Sequence, residues 1–139
     1  MSGASLEQRN PYKGTRPRAW VRVQLLALDG STEEVDLLAD TGNPLALVVG
    51  SVRMGRVIRR GVPPVTTNFG RMNGGWVRVM IPDVGFDEEV LGYASDRVVN
   101  TAQRDSPDFE GLVGLPLLRM LEYGGDADWF WIRPQGSNP

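Results

Sequence analysis

Apolar residues recur at every second position in short runs separated by turn residues, and this alternation commits most of the chain to half-buried β-strands. The first run is WVRVQLLAL from Trp20, with Val21, Val23 and Leu25 on one face, and Asp29-Gly30 after it suits a tight hairpin turn. The returning run, EEVDLLAD, sets Val35, Leu37 and Ala39 against Glu34 and Asp36, and is ended by Gly42, Asn43 and Pro44. LALVVG follows at once and is rich enough in Val and Leu for a buried strand. A polar acid, Asp40, is thus bracketed by two core strands.

Beyond residue 50 the pattern continues. Residues 51–60 carry Arg53, Arg56, Arg59 and Arg60 among apolar residues, which suits a short amphipathic strand or an exposed connection. A near-neutral net charge of −2 favours a solvated face over a nucleic-acid patch. After Pro63-Pro64, VTTNFGRMNGGWVRVMI predicts a long hairpin with a glycine-rich tip at residues 71–75. Further strands are expected at EEVLGYAS and RVV. GLVGLPLLRMLEY then reads as a buried strand entering one short helix, with Pro116 in its first turn and Leu117, Leu118, Met120 and Leu121 available to the core. Gly124-Gly125-Asp126 breaks that helix and DWFWIRP makes a last strand. The organisation expected is a flexible N-terminal arm over residues 1–18, one mostly β domain over 19–134, and a loose tail over 135–139.

Composition narrows the chemistry. A chain of 139 residues, 41% hydrophobic, buries a core without staples. It holds no Cys and no His, so its own residues build no Ser-His-Asp triad, Cys nucleophile or His/Cys zinc site. Carboxylates, Lys13, three tyrosines or a hard metal on oxygen ligands remain. Asp87-Glu88-Glu89 and Asp126-Ala127-Asp128 lack calcium-loop spacing and read as solvated turns, so no metal and no cofactor is expected. Trp76, Trp129 and Trp131 sit on predicted strands and are assigned to core or interface packing rather than to ligand stacking. With no signal-peptide pattern and no apolar run near ~20 residues, a soluble, cytoplasmic protein is expected, with no membrane and no nucleic-acid partner.

Asp40-Thr41-Gly42 at the end of a hydrophobic strand, a hairpin downstream, and Leu112-Val113-Gly114 before a helix occur in the order found in the retropepsin-like aspartic proteases, and the span from Trp20 to Arg133 resembles that family. The resemblance implies a closed, barrel-like acid-protease fold with one short C-terminal helix and a flap hairpin. It implies that Asp40 is catalytic, that Thr41 ties the loops of two subunits together, and that Gly42 lets the backbone turn closely around the carboxylate. It makes Leu112, Val113 and Gly114 the segment crossing behind the active-site loops. It places the flap at residues 66–80, with Arg71, Met72, Asn73, Gly74, Gly75 and Trp76 as flap and substrate-binding residues. Asn43, followed by Pro44, replaces the family's usual small residue; it either donates to the carboxylate or crowds it.

Hydrolysis without a covalent intermediate needs two carboxylates sharing one proton. A chain with a single Asp-Thr-Gly then obtains the second from another copy across a two-fold axis. The expected function is a homodimeric endopeptidase acting on peptide or protein substrates. The alternative is the same fold kept as a weakly active or inactive peptide-binding or dimerisation module, and a third reading is an unrelated small β-barrel with a chance Asp-Thr-Gly.

Overall fold

The alternation at Trp20 and Glu33 becomes an antiparallel pair, β2 (Trp20–Leu26) and β3 (Thr32–Asp40), in register from Trp20 opposite Leu38 to Leu26 opposite Thr32. The structure is a computed structural model and describes residues 6–136. Around this pair lie β4 (Leu47–Val49), β5 (Arg60–Thr67), β6 (Gly70–Ile81), β7 (Phe86–Ala94) and β8 (Phe109–Gly114). The order β2-β3-β8-β4-β7-β6 closes on itself where Gln24 and Leu25 of β2 pair with Met80 and Val79 of β6, which gives a six-strand barrel. β5 lies outside the closure, paired only with β6. Two of the barrel's pairings are parallel, β3 with β8 and β4 with β7.

Period-2 side chains fill the barrel. Val21, Val23, Leu25, Val35, Leu37, Leu47, Val77, Val79 and Val113 are all buried inside it. The opposite faces of the same strands build a second cluster from Trp20, Leu38, Val48, Tyr93, Phe109 and Leu112. An α-helix covers that cluster with Val98 and Ala102. Strands with both faces covered explain why LALVVG reads as a continuous apolar run.

Helices are few, but they exceed the single one expected. Residues 51–57 form α1 (Ser51–Val57), not a strand or open connection, because Met54 and Val57 at i and i+3 share the face turned to the core. The arginines of this segment are held in ion pairs: Arg53 and Arg56 with Glu33, and Arg59 and Arg60, beyond the helix, with Glu89. Arg53 has only 19% of its side chain exposed and so departs from the solvated face expected. RVV is likewise not a strand but part of α2 (Asp96–Gln103), whose N-cap Ser95 accepts a hydrogen bond from the Val98 N–H at 3.2 Å. Ser95→Ala is expected to cost about 1 kcal/mol in a denaturant titration. The C-terminal helix is one turn, α3 (Leu115–Leu118), with Pro116 in its first turn. Leu121 reaches the core from a strand instead, and Met120 stays 38% exposed.

The expected N-terminal arm is corrected in its described part. β1 (Gln8–Pro11) pairs with β10 (Trp129–Pro134), which also pairs with β9 (Leu121–Gly125), so a second, three-strand sheet forms. Gln8 is buried, donating to the Arg22 carbonyl at 2.8 Å while its Oε1 accepts from the Arg22 N–H at 2.7 Å. A polar segment is fixed here by side chains meeting backbone, a signal that carries no apolar periodicity. Phe130 and Ile132 of β10 join the barrel core. Trp131 is half-buried beneath the Arg133 guanidinium at 3.9 Å, Trp76 is half-buried, and Trp129 is exposed. Residues 1–5 of the arm and 137–139 of the tail lie outside the described residues.

Candidate active site

Asp40 is the last residue of β3, beside Gly114 at the end of the parallel strand β8. The chain leaves β3 through a turn in which the Asn43 N–H donates to the Asp40 carbonyl at 3.1 Å. Gly42 N–H donates to the Asp40 carboxylate at Oδ1, also at 3.1 Å. One carboxylate oxygen is therefore oriented by backbone, and among the described residues the other has no hydrogen-bond donor. Asp40 is half-buried, with Thr41 and Gly42 exposed beyond it.

Asn43 does not donate to that carboxylate. Its Oδ1 accepts from the Leu45 N–H at 2.9 Å and its carbonyl from the Leu115 N–H at 3.0 Å, so it braces the loop against α3. Leu112, Val113 and Gly114 occupy β8, between β3 and β4. Val113 fills the barrel and Leu112 the outer cluster. Gly114 is required where it stands: a Cβ there would overlap the Leu45 carbonyl oxygen and lie 2.6 Å from that of Asn43. The glycine lets the loop carrying Asp40 settle directly onto β8.

The hairpin of β5 and β6 turns at Asn68-Phe69, with Thr67 opposite Gly70, rather than at residues 71–75. Thr67 Oγ1 accepts from the Phe69 N–H at 3.0 Å, and Gly70 takes φ +92, which favours glycine. Arg71 and Asn73 are exposed on β6 while Met72 is buried beneath them. Gly74 and Gly75 are not a mobile tip. A Cβ on Gly74 would strike the Gly92 carbonyl and the Tyr93 ring, and one on Gly75 the Arg60 carbonyl. These glycines permit close strand packing, and Trp76 follows within the same strand under Arg60, whose guanidinium lies 5.6 Å from its ring. Both Gly74-Gly75 and Asn68-Phe69-Gly70 carry turn residues, and only tertiary contact separates the two uses.

The true tip overhangs the Asp40 loop. Thr66, Thr67, Asn68, Phe69 and Met72 face residues 42–45 across a cleft of about 450 Å³. Phe69 and Asn43 also line a smaller cavity of about 120 Å³ that contains Asp40. That cavity is bordered by Arg16 and Arg18, which sequence reasoning left in the arm. They are held by Asp105, a buried carboxylate 87 or more positions away in sequence. Arg16 Nε donates to Oδ1 at 3.1 Å and Arg18 Nη1 to Oδ2 at 2.8 Å.

The Arg16 hydrogen bonds, with the charge of both arginines, hold the Asp105 pKa below its ordinary value. Arginine bonding likewise lowers Glu33. Because the folded pKa is depressed, this stabilisation is present above the unfolded Asp value of about 3.9 and is lost as pH falls through the folded one. Melting temperature is expected to drop below about pH 4, and Asp105→Asn, measured by thermal melts at each pH, is expected to flatten that dependence.

Among the described residues no three His, Cys, Asp or Glu side chains gather as a metal site requires, and no helix is long and apolar enough to cross a membrane. Asp87 pairs instead with Arg78 at 2.8 Å, and Asp126 accepts from the Asp128 and Trp129 N–H groups. No family model, curated protein or solved structure matches the chain.

Proposed function

We propose that the chain is a retropepsin-like aspartic endopeptidase that works as a homodimer, each subunit supplying Asp40. The observation that carries this reading is a carboxylate at the end of a barrel strand, oriented by the Gly42 N–H and overhung by a hairpin tip. Two such carboxylates across a two-fold axis share one proton, since both cannot ionise cheaply at close range. The ionised Asp40 takes a proton from water as the water attacks the peptide carbonyl. The protonated one donates to the departing amide nitrogen, and the pair exchanges roles.

In this reading Phe69 and its neighbours act as the flap, not residues 71–75. Closure of the tip over an extended peptide excludes water from the scissile bond. The second copy approaches over exposed Thr41 and Gly42. Strands β1 and β10 pair within their own subunit, so the chain ends need not form the dimer. Cleavage of a degenerate peptide library over about pH 3 to 8 tests the proposal: bell-shaped activity supports it, and an uncut library contradicts it.

One observation favours the binding-module reading as second choice. The larger cleft is lined by residues 42–45 and the hairpin tip but not by Asp40 itself. A peptide seated there alone would be held without being cut.

A further inference from the structure

We propose that the 120 Å³ cavity beside Asp40 is a side-chain subsite that prefers glutamate in the bound peptide, with Arg16 and Arg18 as its specificity-determining residues. This rests on the peptide-binding part of the proposed function and not on its chemistry.

The cavity's size points to one side chain. Sites for whole small molecules run to roughly 300–1,000 Å³, well above this volume. Leu38, Leu112, Val98 and Ala102 give it apolar walls, all of them buried, which suits the methylene stem of a side chain. The charged groups among its lining residues are Arg16, Arg18 and Asp40.

Two cations meet one structural anion. Asp105 has only 5% of its side chain exposed, whereas those of Arg16 and Arg18 are 76% and 35% exposed. The carboxylate is thus covered while both arginine side chains stay accessible. Each guanidinium offers five N–H donors in a fixed fork. Asp105 engages three of them in all, two from Arg16 and one from Arg18. A second carboxylate can be bound on the unused donors without displacing the first. Bonding of that kind is charge-assisted and stronger than a neutral amide makes, so glutamate is favoured over glutamine of the same shape. The apolar walls suit the longer methylene stem of glutamate, which favours it over aspartate.

Binding and cleavage are separated by measuring the affinity of Asp40→Asn protein for fluorescent hexapeptide pools. One position at a time is fixed as Glu, Gln, Asp or Leu, and anisotropy is read near pH 6.5. At one position the Glu pool is expected to bind roughly tenfold tighter than the Gln pool. Arg16→Gln and Arg18→Gln, made singly so that Asp105 keeps one partner, are each expected to reduce that ratio several-fold. Raised salt is expected to reduce it further. A ratio near one at every position overturns the proposal, as does a ratio that survives both substitutions, or equal weakening of all pools in both. Glutamate-selective binding with no cleavage by wild-type protein would leave the subsite standing and overturn the endopeptidase reading alone.

Discussion

Replacing Asp40 with Asn is expected to lower peptide cleavage by about 10³-fold or more, the scale of losing general acid-base catalysis. Folding and dimerisation are expected to survive. Asn keeps an oxygen at Oδ1 to accept from the Gly42 N–H. The residue is only half-buried, so no apolar packing is lost. Its stability change is therefore expected within about 1 kcal/mol, because the Gly42 hydrogen bond is kept and only its charge assistance is lost. In the proposed mechanism what is lost is the ability to share a proton, because an amide neither takes one from water nor gives one to a leaving amine at ordinary pH. Rates of library cleavage, paired with thermal melts and size-exclusion elution of the same preparations, read all three quantities.

Gly114→Val is expected to have the largest effect on the fold, destabilising it by about 4 kcal/mol or more. A Cβ at this position overlaps the Leu45 carbonyl and crowds that of Asn43, and both are backbone atoms that no rotamer change can move. Relief requires the loop to lift away from β8. That movement breaks the Gly114 N–H to Ala46 carbonyl bond of 3.0 Å and the Leu115 N–H to Asn43 bond of 3.0 Å. Asp40 sits at the start of the same loop, so any folded fraction should also lose activity. A urea titration gives the stability change, and cleavage per folded molecule tests the link between the two.

How much of this was legible before the structure varies with the kind of signal. Strand alternation placed β2 and β3 and put Asp40 at a strand end, since period-2 burial leaves a direct trace in the residue order. Leu112-Val113-Gly114 was legible as a segment, though the reason for its glycine, the carbonyls of residues 43–45, is purely spatial. Helices α1 and α2 were missed because each is short and carries β-branched residues that favour strands, Val52 and Val57 in the first and Val98 and Val99 in the second. Ser95-Asp96 was an available capping signal for the second. The hairpin tip was displaced because Gly74-Gly75, which lets strands pack closely, looks like a turn when read alone. Arg16 and Arg18 had no local signal at all, their partner Asp105 lying across the fold.

The central claim, one catalytic site built from two copies of Asp40, is tested most directly by mixing. Wild-type chains are refolded together with a ninefold excess of Asp40→Asn chains, and cleavage is measured per wild-type chain. With random pairing across a two-fold axis, only about a tenth of wild-type chains find a wild-type partner, so activity per wild-type chain should fall about tenfold. Undiminished activity per wild-type chain would mean that a single Asp40 suffices, and would contradict the shared dyad.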